Sequence, residues 1–576
     1  MQLVRRLYLP ALFCSIAVLI CELISHPAVK MGICDDGPYI LMARTLATTG
    51  HIVFNGWAAP MLGWQLYLGA AFIKLFGFSF TVVRSCTLFV AMVMAFILQR
   101  TLVRSGITER NATLGTLALV LSPLYLMLSV TYMTDIFGLF AIVICLYGCL
   151  GALQASTTNA TIAWLCFAVI ANALCGTARQ IAWLGILVML PSTLWLLRSN
   201  RRILLAGSAA TLAGVLFIFA CMQWLKHQPY TIPIPLRLRD FPIAHAAAQL
   251  IYFFLDIPFL LLPIFALFLP QIRKSTPRVA ALLSTPFLLY FLLASTLRTH
   301  HVLRLEPTGG DWVTIHGFFD SAHIKGEQPI FLHKGVQILL TLASLGSLVG
   351  LAASLLRLYH AQPAADPSFA KVSTKQLAVL IAPFTLAYIL FLVSAFPTTS
   401  FFFDRYVLGL LVMVIIALIR FYQEQIHSRL PSVSILLLLI MAIYGIVVTH
   451  NLFSFYRARV ALAAELNAHG VPDTSIENGW EIDLLTELQH ADHLNDPHIV
   501  VPANSYVPPV PLPEGTCEIL PYWSDKTPHI HPLFGASFDP NACYGPAPFA
   551  PVQYSHWLSS SPNTLYIVRY TPPSKP

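Results

Sequence analysis

Long apolar runs separated by short polar breaks occupy the chain as far as about residue 450. A helix that crosses a bilayer needs about 20 mostly apolar residues. Candidate spans by that measure are Leu7–Ser25, Phe80–Val103, Ala112–Val130, Asp135–Leu153, Thr161–Gly176, Ile181–Leu197 and Ile203–Leu225. Further along come Ala248–Leu269, Val279–Thr296, Gly335–Leu356, Gln376–Phe396, Tyr406–Phe421 and Ser432–Val448. The pattern thus predicts a polytopic all-α membrane protein of about thirteen spans. Thr161–Leu197 is one apolar stretch broken at Gly176-Thr177-Ala178-Arg179-Gln180. Two helices joined by a tight outer turn keep the loop charges downstream consistent, and one helix would invert them.

The first loop, His26–Ser79, holds amphipathic stretches at Tyr39–Thr48 and Pro60–Phe76, read as helices lying at the membrane interface. Two later outer segments are also long: Lys226–Ala247, with the run Ile232-Pro233-Ile234-Pro235, and Arg298–Lys334, with Gly309-Gly310. Loops of this length are usually functional or disordered. Residues 1–450 are therefore read as the membrane domain and residues 451–576 as a soluble external domain. That tail has a helical pattern at Tyr456–His469, strand-like runs at Ile499–Val501 and Thr564–Arg569, and dense proline from Pro502, which predicts a small α+β domain.

Composition agrees: 57% of residues are hydrophobic and 10% charged, against roughly 25% charged in soluble domains. The net charge of +8 is read mainly as positive-inside anchoring rather than as a nucleic-acid surface. Arg100, Arg104, Arg110, Arg198, Arg201, Arg202, Arg273, Lys274, Arg278, Arg357, Lys371, Lys375, Arg420 and Arg429 fall on the same side when the N-terminus is cytoplasmic. The tail then lies outside, in the periplasm or extracellular space, and the first apolar run is a signal anchor in the inner (plasma) membrane. Most of the 11 cysteines sit in apolar runs as small hydrophobes. Cys517 and Cys543 share the tail, where they can pair or stay free. No Cys-x-x-Cys or Cys/His metal spacing occurs, so no cofactor is expected; a divalent ion has room but no indication.

Charge near hydrocarbon is costly and tends to mark function. Cys34-Asp35-Asp36-Gly37-Pro38-Tyr39 closely follows the first span. Helix capping accounts for Asp36 and leaves Asp35 unexplained. Asp135 opens the fourth span on the same side, where it or Thr134 could cap that helix. Lys74, Arg84, Arg179 and Arg405 lie on the outer side, against the inward bias. Singly each reads as a headgroup or snorkelling contact. Together with a carboxylate, Arg179 and Arg405 suit a phosphate-bearing lipid, although Asp404 could pair with Arg405. His300, His301, His316 and His323 fit no helical ligand pair and read as a solvated loop.

Asp35-Asp36-Gly37-Pro38-Tyr39, followed by Ala43-Arg44, resembles the acidic motif of the GT-C superfamily of membrane glycosyltransferases, in particular the protein O-mannosyltransferase and aminoarabinose transferase group. Pro60 with Leu62 and Tyr67, Phe76-Gly77 with Arg84, and Arg405-Tyr406 resemble later motifs of that group more loosely; the last lacks the family's proline. The resemblance covers the membrane body and not the tail. It implies a GT-C-like fold and an inverting transfer of a sugar from a polyprenyl-phosphate carrier to a lipid, glycan or protein acceptor. It also implies Asp35 as general base, with Asp36 and Asp135 in support, and a donor held by Tyr39, Lys74, Arg84, Arg179, Arg405 and Tyr406. The other readings are a flippase or transporter of lipid-linked sugars, a ligase or polymerase of whole oligosaccharides, and a non-enzymatic scaffold for envelope assembly.

Overall fold

The computed structural model describes residues 2–232, 243–296, 304–308, 311–319, 324–359, 372–395, 403–426, 430–499, 506–518, 524–559 and 561–572. Pro233–Pro235, Gly309-Gly310, His300, His301, His323, Arg298, Lys371, Arg429 and Val501 lie outside the described residues. Among the described residues, 10 helices are long and apolar enough to cross a membrane, or up to 12 when each bent pair counts as one span. The chain is a multi-pass membrane protein.

After α1 (Gln2–Ser25) come two 14-residue helices, α2 (Asp36–Thr49) and α3 (Gly63–Phe76), where the first loop was expected to be amphipathic. The body continues with α4 (Phe80–Arg104), α5 (Glu109–Val120), α6 (Pro123–Ser129), α7 (Thr134–Gln154) and α8 (Thr158–Cys175). Helices α5 and α6 meet at 68°. Pro123 cannot donate back into α5, and Ser122 starts a new helix by accepting the N–H of Tyr125 at 3.3 Å.

Ile181–Leu197 was expected as a full span, but Gln180–Leu196 is a shorter apolar helix. It winds tightly over Gln180–Trp183 and widely over Gly185–Met189 before settling into α9 (Leu190–Leu196). Asn172, buried on α8, is the reason. Its amide donates to the carbonyls of Ala141 and Ala182, each at 3.0 Å, and its Oδ1 accepts the Ile186 N–H at 3.1 Å. These bonds take backbone partners that a regular helix start would use.

Next come α10 (Arg201–Lys226), α11 (Ile243–Leu260), α12 (Leu262–Phe265), α13 (Pro277–Thr296), α14 (Lys334–Tyr359), α15 (Thr374–Ala395) and α16 (Leu408–Phe421). The chain bends by 78° between α11 and the segment that begins with α12, at Pro263.

Then α17 (Ser432–Ala468) runs unbroken for 37 residues. At about 1.5 Å per residue it is longer than the roughly 30 Å hydrocarbon layer. The separately predicted span to Val448 and helix from Tyr456 are one element, because neither glycine nor proline interrupts Thr449–Phe455.

Beyond it lie α18 (Trp480–Ala491) and four short strands: β1 (Ile476–Glu477), β2 (Phe534–Ser537), β3 (Val552–Tyr554) and β4 (Asn563–Arg569). They form one sheet in the order β1-β2-β4-β3, with β1 and β2 parallel and the other pairs antiparallel. Thr564–Arg569 is therefore a strand, as its pattern indicated. The segment around Lys325, between α13 and α14, joins this sheet, since the Phe538 N–H donates to the Lys325 carbonyl at 2.8 Å. Cys517 and Cys543 are disulfide-bonded, with Cα atoms 5.5 Å apart.

Candidate active site

Asp35 and Asp36 are neighbours in the chain but have opposite surroundings. Asp36, the first residue of α2, is fully buried. Arg84 of α4 grips it with Nε to Oδ2 at 2.7 Å and Nη2 to Oδ1 at 2.9 Å. Backbone N–H groups of Ile33 and Tyr132 fill its remaining acceptor positions at 2.7 and 3.1 Å. Arg84 spends its other donors on the carbonyls of Met31 and Val29, at 2.6 and 3.3 Å. A forked pair with every polar atom satisfied locks the first loop to α4. It leaves neither residue a position for substrate, and capping is not what Asp36 does.

Asp35 occupies the N-cap position of α2, yet its side chain bonds no helix N–H. It turns outward instead, with its side chain 22% exposed. The indole N–H of Trp57 donates to Oδ1 at 2.9 Å, while Oδ2 lies 3.7 Å from Nη1 of Arg405. Burial pushes the Asp35 carboxyl above the ordinary carboxylate range, against the pull of Arg405 and the Trp57 bond; Asp135 and Asp36 add to the rise.

Arg405 sits in the turn of helix that opens the α16 span. Asp404 does not pair with it. Asp404 is buried and accepts the N–H of Trp312 at 3.1 Å and of Val313 at 2.6 Å, which fastens the segment between α13 and α14 to this helix start. That anchor brings Asp311 beside Arg405, with Oδ2 3.0 Å from Nε. The two atoms stand at ion-pair distance, but the N–H is not aimed at the oxygen, so both lack an aligned hydrogen bond. Burial carries the Asp311 carboxyl well above its usual range, against the pull of Arg405.

Arg179 reaches the same cluster from the turn after α8 and pairs with Oδ1 of Asp135. Asp135 and Gly138 lie one turn apart on α7. A Cβ at Gly138 would stand 2.9 Å from Cδ of Arg179, so the missing side chain lets the arginine stem lie across the helix. Its guanidinium rests 4.7 Å from the centre of the Tyr406 ring, and Arg405 lies 5.5 Å from that centre. Asp135 does not cap α7, whose N-cap is Met133.

Buried polar atoms ordinarily find partners. Around this cluster, Oδ2 of Asp135, Oδ2 of Asp311, and Nε and Nη1 of Arg405 have no hydrogen bond among the described residues. Exposed faces of Asp35 and Arg179 adjoin them, so the cluster has unused donors and acceptors for a polar ligand.

Of the sequence candidates, Asp35, Asp135, Arg179, Arg405 and Tyr406 come together, and buried Tyr39 borders Asp35 and Arg405. Asp36 and Arg84 form the separate clamp. Lys74 is exposed in the last turn of α3, with no ion pair among the described residues. His316 is half-buried, with its ring 3.2 Å from the Pro329 carbonyl. No group of three or more His, Cys, Asp and Glu is placed to hold a metal among the described residues. Sequence reading missed Trp57, Asp311 and the anchoring role of Asp404. Asp311 had a faint signal, an acid between a glycine pair and a tryptophan in an overlong loop.

No family model matches the chain, and no curated protein matches it in sequence. By structure it is similar to ArnT from Cupriavidus metallidurans bound to undecaprenyl phosphate, at 16% identity and a TM-score of 0.38, covering 90% of this chain and 84% of that one. It is similar to the archaeal oligosaccharyltransferase AglB from Archaeoglobus fulgidus, in complex with an inhibitory peptide and a dolichol-phosphate, at 16% identity and a TM-score of 0.42, covering 90% of this chain and 63% of that one. With the S. cerevisiae protein O-mannosyltransferase Pmt1-Pmt2 complex bound to the sugar donor it shares 15% identity at a TM-score of 0.30, over 36% of this chain and 32% of that one, about a third of that chain's length. Likeness at these scores carries no weight for what the chain does.

Proposed function

We propose that the chain is an inverting glycosyltransferase that moves a sugar from a polyprenyl-phosphate carrier to a lipid, glycan or protein acceptor at the outer face of the membrane. The observation that carries this reading is the meeting of a partly open carboxylate with two arginines in one under-bonded cluster, at the ends of apolar helices. A lipid-linked sugar would place its prenyl tail among those helices and its phosphate at the cluster.

Asp35 is the general base. Its Oδ2 takes the proton of the acceptor hydroxyl as that oxygen bonds to the anomeric carbon. The bond from that carbon to the phosphate oxygen breaks, and its electron pair leaves with the phosphate. Attack opposite the leaving group inverts the centre. The phosphate needs no general acid; it needs fixed positive charge, which Arg179 and Arg405 supply. Asp135 holds Arg179 in place and Tyr406 backs both guanidinium groups. Asp36 and Arg84 support the loop without touching substrate.

The test is mass spectrometry of lipid-linked sugars in cells whose chain is replaced by Asp35→Asn. One polyprenyl-phosphate sugar should accumulate to the level seen when the chain is removed. Normal levels in a folded variant would overturn the reading.

A further inference from the structure

We infer that Trp57 is a positioning residue for Asp35, and that the C-terminal domain, by holding Trp57, is a working part of the active site. The inference rests on the proposed role of Asp35 as base.

A carboxylate has two oxygens, and a base with one reacting oxygen must present the correct one. Here the Trp57 N–H occupies Oδ1 at 2.9 Å and leaves Oδ2 turned toward Arg405. The bond settles which oxygen is offered, and it favours the ionised form of the base.

Trp57 in turn is gripped by the tail. Its ring lies 5.2 Å from that of Trp480 at the start of α18, and the ammonium of Lys526 sits 5.0 Å from its centre on the ring face. Lys526 is itself 3.4 Å from the Asp496 carboxylate. The backbone before Trp57 is fastened to the same domain, with the Leu494 N–H donating to the Asn55 carbonyl at 2.8 Å. At Gly56, φ is +85° and a Cβ would stand 2.8 Å from the Leu494 carbonyl oxygen, so the close approach requires glycine. A domain whose only task was to cover the membrane body would not need this contact to end on the base.

The experiment is a pH titration of the Asp35 carboxyl by infrared difference spectroscopy, wild type minus Asp35→Asn, on the purified full chain in detergent. It is repeated with Trp57→Phe, which keeps an aromatic ring and removes the N–H. The groups facing Asp35 are Arg405, Asp36, Asp135, Asp311, Cys34 and Tyr39, and all remain in that variant. The titration midpoint should move to higher pH, because the bond to the ionised form is gone. In cells Trp57→Phe should accumulate lipid-linked sugar, with transfer slowed roughly tenfold or more. An unmoved midpoint in the folded variant overturns the inference. Should Trp57→Phe not fold, Trp480→Ala carries the test: it keeps the Trp57 N–H but removes the ring that holds Trp57 in place, so the bond to Asp35 loosens, a smaller upward shift is expected, and an unmoved midpoint overturns the inference. The titration reads the bond whatever the chemistry, so a shift alongside normal lipid-linked sugar levels in folded Asp35→Asn would sink the transferase reading alone.

Discussion

Two arginine–aspartate contacts stand side by side in this protein, and they differ in almost everything except composition. The Asp36–Arg84 pair is closed: both side chains are buried and every polar atom has a partner. The Asp35–Arg405 contact is loose, at 3.7 Å, with one partner partly exposed and unused donors on the other. A saturated pair holds structure, because nothing in it is left to bind anything else. An unsaturated one at the same depth is costly unless a ligand completes it. The division of labour between adjacent aspartates follows from the turn at Cys34, whose φ of +52° precedes the first residues of α2.

The widest separation between the two regions should come from Asp35→Asn. Transfer should fall by about 10²–10⁴-fold, the usual contribution of a general base. The thermal unfolding midpoint should hold or rise, since the variant no longer buries an ionisable carboxyl. Arg84→Ala should do the reverse, costing about 3–5 kcal/mol of stability by stranding a buried carboxylate. Transfer by whatever folded protein remains should approach the wild-type rate. Urea or thermal unfolding in detergent, set beside turnover, distinguishes the two patterns. If both variants lost stability equally, the two contacts would be one structural unit.

A smaller effect is expected on the pH profile. The base works when ionised, and burial raises its folded pKa above the ordinary aspartate range. The acid limb of the rate profile should therefore fall off at higher pH than an ordinary aspartate would give. By the same linkage, ionised Asp35 costs the fold some stability, and acidification through its folded pKa relieves that cost. An acid limb at the ordinary value would make Asp35 a solvated cap and leave the closed pair as the only remarkable contact of the two.

The helices were readable because an apolar run of the right length has few alternatives in a membrane. All the expected spans have a counterpart, although Ile181–Leu197 falls short where Asn172 diverts its backbone bonds. The acidic motif, Arg179 and Arg405 were readable as charges in costly positions. Their partners were not. That Arg84 belongs to Asp36, and Arg405 to Asp35 and Asp311, depends on how loops 48 to more than 300 residues apart in sequence come together. Trp57 was missed for the same reason: an aromatic residue near an interface is common, and only its 2.9 Å bond to Asp35 sets it apart.

The most direct measurement is the binding of polyprenyl phosphate to the purified chain, followed by mass spectrometry of the intact protein–lipid complex. The wild type should hold one lipid per chain, and Arg405→Ala should lose most of it while Arg84→Lys, if folded, keeps it. Equal retention by the Arg405→Ala protein would contradict a phosphate site at the open cluster.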